Sequence, residues 1–270
     1  LLPPEIIELI LSNSKLSIED ILNTSVTCST LRTVVINSNF IWRYKYKQRW
    51  PQFVPLFNKQ FHEWFFEIRY IYDLKKRTHT LLSDMSPKFY TKNELSEGDM
   101  EDWVQLMMES PRAYNYIVLD LMTIIHCYDP IKSIQIVPLD TPGNKTLQYY
   151  AAKVLRFIRQ RLLSDEWEKF MNVPEKDQIL ERGALLVAQW CQPVLEIVWD
   201  NVAEQLDVIA NDVKAALKIW KPTHPLHKVL QDTFLKWKYE NLEGNQWNIR
   251  ESQEILQCLT TVLYKHIGFK

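Results

Sequence analysis

The chain has 270 residues, is 46% hydrophobic and carries a formal charge of −1, so it holds enough apolar material for a sizeable core without needing disulfides or metals. The near-neutral balance argues against a dedicated nucleic-acid binder, whose phosphate contacts leave a basic excess. No basic leader followed by an apolar stretch opens the sequence, and no run of about eighteen uncharged apolar residues occurs, so neither secretion nor a membrane span is expected. Charge is uneven: residues 165–260 hold 16 acidic and 10 basic side chains against 17 and 22 elsewhere, too mild an asymmetry to name a partner. Residue 1 is Leu, which reads as a start inside a longer polypeptide.

Five glycines, at 98, 143, 183, 244 and 268, are too few for many tight hairpins, and helices are expected throughout. Pro3 and Pro4 suit the first turn of a helix, where the missing amide donors would lack partners anyway. Ser17 sits where an N-cap would start a second helix at Ile18. An aromatic helix follows around Phe61, Trp64, Phe65, Ile68 and Tyr72, and the polar stretch from Ser83 to Gly98, interrupted by Pro87, reads as a loop. Residues 113–128 have a helical pattern. Pro130, Pro138, Pro142 and Gly143 then frame an irregular connector, in which Ile134-Gln135-Ile136-Val137 is a candidate short strand.

Four apolar stripes at helical spacing complete the chain. They run through residues 147, 151, 154, 155, 158 and 162; through Leu180, Ala184, Val187 and Cys191, after Pro174 and before Pro193; through Val198, Val202, Leu206, Ile209, Val213 and Leu217; and through Leu256, Leu259, Leu263 and Ile267, with Gly268 as a stop signal. Short loops between them imply an antiparallel bundle. No internal repeat or low-complexity tract is visible.

The opening segment reads Leu2-Pro3-Pro4-Glu5-Ile6-Ile7-Glu8-Leu9-Ile10-Leu11, then Leu16, Ile18, Asp20, Ile21 and Leu22, then Val26-Thr27-Cys28-Ser29-Thr30-Leu31-Arg32, and closes on Phe40-Ile41-Trp42-Arg43. Helices of about ten residues are too short to stand alone, and these carry more aliphatics than one small core hides, so a permanent partner is expected. The segment resembles the F-box in motif order and interval. The resemblance implies three helices that bind Skp1, and through it a cullin and a RING subunit, with Leu2, Pro3, Ile7, Leu11, Ile21, Val26, Leu31 and Trp42 as the Skp1-binding residues.

Farther on, Leu147-Gln148-Tyr149-Tyr150, then Glu181-Arg182-Gly183-Ala184 through Gln189-Trp190-Cys191, then Gln205-Leu206-Asp207 resemble the helical segment that precedes the transglutaminase-like fold of SirB1-type proteins. The resemblance implies that this chain stops at Lys270, before that fold. The expected architecture is all-α, a three-helix F-box followed by a multi-helix bundle. Its divisions are 1–50 for the F-box, 51–140 for a mostly helical connecting region and 141–270 for a SirB1-type helical domain. The function implied is that of a substrate-recognition adaptor of an SCF-type ubiquitin ligase in the cytoplasm or nucleus. The alternative is the non-catalytic front half of a transglutaminase-like or hydrolase-like enzyme.

Sharper chemistry finds little support in the sequence. Cys28, Cys127, Cys191 and Cys258 lack the paired spacing of a zinc or redox site and read as reduced and buried. Cys191, Cys258, His126 and His266 offer no nucleophile–base pair by spacing, so no catalytic residue and no cofactor is expected. His224 and His227 lack a third metal ligand nearby. The alternation of Arg43, Lys45, Lys47 and Arg49 with Tyr44, Tyr46 and Trp50 reads as a solvated helix face. Of Trp190, Trp199, Trp220, Trp237 and Trp247 most are expected in the core, with Trp220 and Trp247 as candidate anchors for a bound protein.

Overall fold

The computed structural model describes residues 2–92, 94–126, 128–129, 134–135, 144–195, 197–240, 244 and 246–268. Two compact units divide the chain, Leu1–Leu155 and Arg156–Lys270, whereas the boundaries read from the sequence lie at 50 and 140. The protein is all-α. Among the described residues, the strand structure is a two-residue antiparallel pair, Tyr128 opposite Gln135 and Asp129 opposite Ile134. The rest of the proline-framed connector, with Cys127, lies outside the described residues. No described helix is long and apolar enough to cross a membrane.

The first unit opens with four short helices where three were expected: α1 (Pro4–Leu11), α2 (Ile18–Ser25), α3 (Ser29–Asn37) and α4 (Asn39–Arg49). Ser38 causes the extra break. Its extended backbone ends α3, and its hydroxyl accepts from the Ile41 amide at 3.2 Å to start α4, a role the Ser side chain fills well at an N-cap. Ser17 caps α2 as expected and Asp20 completes a capping box, its carboxylate accepting from the Ser17 amide at 2.9 Å.

Helix α5 runs over 26 residues, Trp64–Phe89, into the first part of the segment Ser83–Gly98 expected to be a loop, and the described residues from Tyr90 to Ser96 are non-helical. Pro87 falls within its last turn, where little helix remains to be disrupted. Leu74, Leu82 and Met85 are buried on the same helix, and that apolar face carries it into the polar run. Helices α6 (Glu101–Met108) and α7 (Ala113–His126) complete the layer around it. A 3-10 turn whose Ser96–Asp99 capping box is tied to Lys92 leads into α6.

Helix α8 (Lys145–Asn172) buries Ala151, Val154, Leu155 and Ile158, as its stripe requires. The second unit continues with α9 (Leu180–Cys191), α10 (Trp199–Trp220), α11 (Gln231–Tyr239) and α12 (Ile249–Thr261), the last extended by a π-helical segment, Val262–Ile267. Gly268 adopts φ +80° and ends it, as a glycine stop should. The core of this unit is small: Val213 and Leu217 of α10 pack with Cys258 and Val262, edged by Ile209 and Leu259.

One expected stripe is turned away from cover and a second is only partly covered. On α9, Leu180, Ala184, Val187 and Cys191 are all exposed, and Leu185 is the buried residue. On α12, Leu256 is exposed and the buried line runs through Cys258 and Val262. Periodicity gives the facing of a stripe but not whether anything lies against it. None of the five tryptophans from 190 to 247 is fully buried.

Candidate functional site

The four opening helices sort their aliphatics onto two sides. Ile7 and Leu11 of α1, Ile18 and Ile21 of α2, Val35 of α3 and Ile41 and Trp42 of α4 are buried. Ile6, Leu9 and Ile10 on α1 and Leu2 just before it form an exposed stripe, Leu22 on α2 and Val26 just after it are exposed, and so are Phe40 and Tyr44 on α4. The contrast is sharp: Leu9 is 64% and Val26 79% accessible, Ile21 0% and Trp42 1%.

Of the eight residues expected to bind a partner, the structure therefore exposes Leu2, Pro3 and Val26 and leaves Leu31 half-buried. Ile7, Leu11, Ile21 and Trp42 belong to the interior of the segment, where they hold the exposed residues in place. Ile6, Leu9, Ile10, Phe40 and Tyr44, exposed in the structure, were not among the residues expected to bind a partner. The α1 stripe at 2, 6, 9 and 10, offset from 7 and 11, is the signal that would have found part of this set.

Buried polar groups fix the framework. The Trp42 indole donates to the Val35 carbonyl at 2.6 Å, and its ring lies against Phe65 with centroids 5.2 Å apart. Lys45, expected on a solvated face, is instead buried, its ammonium donating to the carbonyls of Asn13 and Leu16 at 2.6 Å each. Burial pulls its pKa below the ordinary lysine value. Those bonds, with Gln48 donating to the Ser14 carbonyl at 2.9 Å, clamp the α1–α2 loop onto α4.

A second network joins α4 to α5 and α7. Tyr116 donates to Glu67 at 2.8 Å and its oxygen lies 2.6 Å from the Tyr46 hydroxyl. Arg112 grips the same carboxylate with two donors at 2.9 and 2.8 Å. Because the Tyr116 proton is directed to Glu67, Tyr46 is the donor between the two phenols. Burial pushes both phenols far above the usual tyrosine pKa, and Glu67 holds the Arg112 guanidinium above its ordinary value.

The other candidates resolve into structural roles or exposure. His224 accepts from the Leu226 amide at 3.1 Å and its other ring nitrogen lies 3.3 Å from the Glu251 carbonyl, while His227 lies 3.2 Å from the Lys221 carbonyl. Cys28 and Cys191 are exposed, contrary to expectation, and Cys258 is buried. Burial raises the Cys258 thiol pKa. His126 is exposed, and the His266 side chain lies outside the described residues. No cluster of metal-ligating side chains occurs among the described residues.

These features define a small helical unit with a packed interior and an exposed apolar stripe. Residues 1–48 match the F-box-like family and form an F-box-like domain. Along its whole length the chain is similar to F-box only protein 21, at 23% identity to the Mus musculus protein over 274 residues and 22% to the Homo sapiens protein over 276. The Pongo abelii protein of the same name is 24% identical over 83% of this chain. The chain spans 39% of the length of the mouse and human relatives and 34% of the Pongo abelii one. No solved structure matches it.

Proposed function

We propose that this chain is the adaptor part of an SCF-type ubiquitin ligase, docking on Skp1 through the F-box-like domain and presenting a protein substrate through the helices that follow. The carrying observation is the exposed stripe of Leu2, just before α1, and Ile6, Leu9 and Ile10 on it, within the F-box-like segment. Apolar surface left in water costs about 25 cal/mol per Å², so a helical partner covering that stripe gains affinity without rearranging the interior. Leu2, Pro3, Val26 and Leu31 are its contacts from the set read in the sequence, supplemented by Ile6, Leu9 and Ile10. Cullin and RING subunits join through Skp1. Ubiquitin transfer belongs to the conjugating enzyme they recruit, and the chain itself is non-catalytic. The second unit serves as a SirB1-type helical domain.

Co-purification with Skp1 tests the reading. The wild-type chain retains Skp1, and replacing Leu2-Pro3 by Ala-Ala abolishes retention while the helical content stays unchanged. Undiminished retention by the double variant overturns it.

A further inference from the structure

On the side of the F-box-like domain that faces α5 and α7, a cleft of about 460 Å³ opens between the α1–α2 loop, the end of α4, α5 and α7. That volume lies in the range of about 300–1,000 Å³ usual for ligand sites. None of the exposed residues assigned to Skp1 lines it.

Its chemistry is amphipathic and cationic. Trp50, Ile71, Leu74 and Leu119 supply apolar wall. Four cations, Lys15, Lys45, Arg49 and Lys75, face two carboxylates, Glu19 and Asp120. Glu19 accepts from the Tyr72 hydroxyl at 2.9 Å, and Asp120 lies 3.0 Å from the His79 ring and 3.6 Å from the Lys75 ammonium, its Oδ2 making no hydrogen bond. A cleft with low-dielectric walls and a surplus of one sign of charge concentrates the opposite sign.

Thr78 adds an independent observation. It lines the cleft, is 0% accessible, and its hydroxyl has no hydrogen-bond partner. Neighbouring helical hydroxyls do find one, Thr80 on Lys76, Ser83 on His79 and Thr123 on Leu119. A buried hydroxyl without a partner is costly, and natural structures keep few of them. Covered in this structure, the hydroxyl would donate to a carboxylate that displaces the side chains over it.

We propose that this cleft binds an acidic segment of a protein substrate, seating an apolar side chain against Trp50 and Leu119 and a carboxylate between Lys75 and Thr78. The proposal deepens the adaptor reading and rests on it for the identity of the ligand as substrate.

The test uses the chain with a fluorescein-labelled random copolymer of glutamate and tyrosine, read by anisotropy, with a lysine–tyrosine copolymer as the reversed charge. The acidic copolymer binds, the basic one does not, and Lys75→Ala and Thr78→Val each weaken binding by about tenfold, the scale of one lost interaction. Thr78→Val also melts no lower than wild type, since it removes only an unpartnered hydroxyl, which separates lost binding from lost folding. Equal binding by the variants, equal binding of the basic copolymer, or full displacement of the acidic copolymer by millimolar inorganic phosphate overturns the proposal, the last by assigning the cleft to small anions. Skp1 retention, measured in parallel, is independent: its loss in the wild-type chain defeats the adaptor reading, whereas retained Skp1 with no copolymer binding defeats the cleft alone.

Discussion

Tyr46 of α4 and Tyr116 of α7, seventy residues apart in sequence, share a buried hydroxyl–hydroxyl hydrogen bond of 2.6 Å. Through Tyr116 the bond continues to Glu67 and Arg112, so the F-box-like domain is locked to the helices that follow it by charge-assisted bonds in a dry setting. Tyr116→Phe removes the donor to Glu67 and the acceptor for Tyr46 together. It should cost about 1–3 kcal/mol, the range for stranding a buried polar group. Tyr46→Phe leaves Tyr116 still donating to Glu67 and should cost less. Chemical denaturation of both variants checks the order, and a reversed order would contradict the donor assignment.

Substitutions in the first 48 residues should divide into two sets. Leu9→Asp and Val26→Asp lie on exposed positions and should shift stability by no more than about 0.5 kcal/mol while eliminating Skp1 retention. Ile21→Ala empties a fully buried site and should lose about 2–5 kcal/mol, with Skp1 binding falling only as the fold falls. Melting curves run beside pull-downs distinguish the sets, and Skp1 retention by Leu9→Asp at the wild-type level would remove the α1 stripe from the interface.

Thiol labelling should follow exposure. Cys28 and Cys191 are exposed and should react within the native state, whereas Cys258, buried and with its pKa raised by burial, should react only on unfolding. Peptide mass mapping after timed alkylation near neutral pH reads each site. Rapid native-state labelling of Cys258 would mean that the α10–α12 core opens readily.

Acid should weaken the first unit in a defined window. Asp99 is held at about 2 by the Lys92 ammonium and the Ser96 amide and hydroxyl, against 3.8 when free. The Ser17 amide likewise lowers Asp20, and the Arg77 guanidinium lowers Glu109. Folded-state values below the unfolded ones mean that the unfolded chain takes up protons first as pH falls. The stabilisation is complete above the free carboxylate range and is lost between about pH 4 and 2. Scanning calorimetry across that interval should show Tm falling, and Asp99→Asn should show a shallower fall. An unchanged slope in Asp99→Asn would show that the Lys92 tie adds nothing to folding.

The sequence was most legible where local chemistry decides the outcome. Pro4 at the head of α1, Ser17 capping α2 and Gly268 ending the last helical segment are each set by groups a few residues apart. The order of the opening motif was enough to place the F-box-like domain. What escaped is non-local. Lys45 reads as a surface cation until the α1–α2 loop brings two carbonyls to it, and nothing near Tyr46 announces Tyr116. The exposed face of α9 failed for a related reason: Leu180, at 84% accessible, sits on a well-formed apolar stripe, but amphipathicity records a preference for cover and cannot supply it.

Helix α5 has a mechanical consequence. Its 26 residues make a rod of about 39 Å at 1.5 Å per residue. Trp42 and Tyr46 of α4 grip its first turn through Phe65 and Trp64, and Asp120 of α7 and Glu109 bind it farther along at Lys75 and Arg77. Held at successive points, the rod resists bending, and its far end follows any movement of the F-box-like domain. Within this unit, distance from the F-box-like domain is therefore set by the stiffness of a strut and not by the slack of a tether, so a small tilt where α4 meets α5 becomes a displacement of several ångströms near Met85.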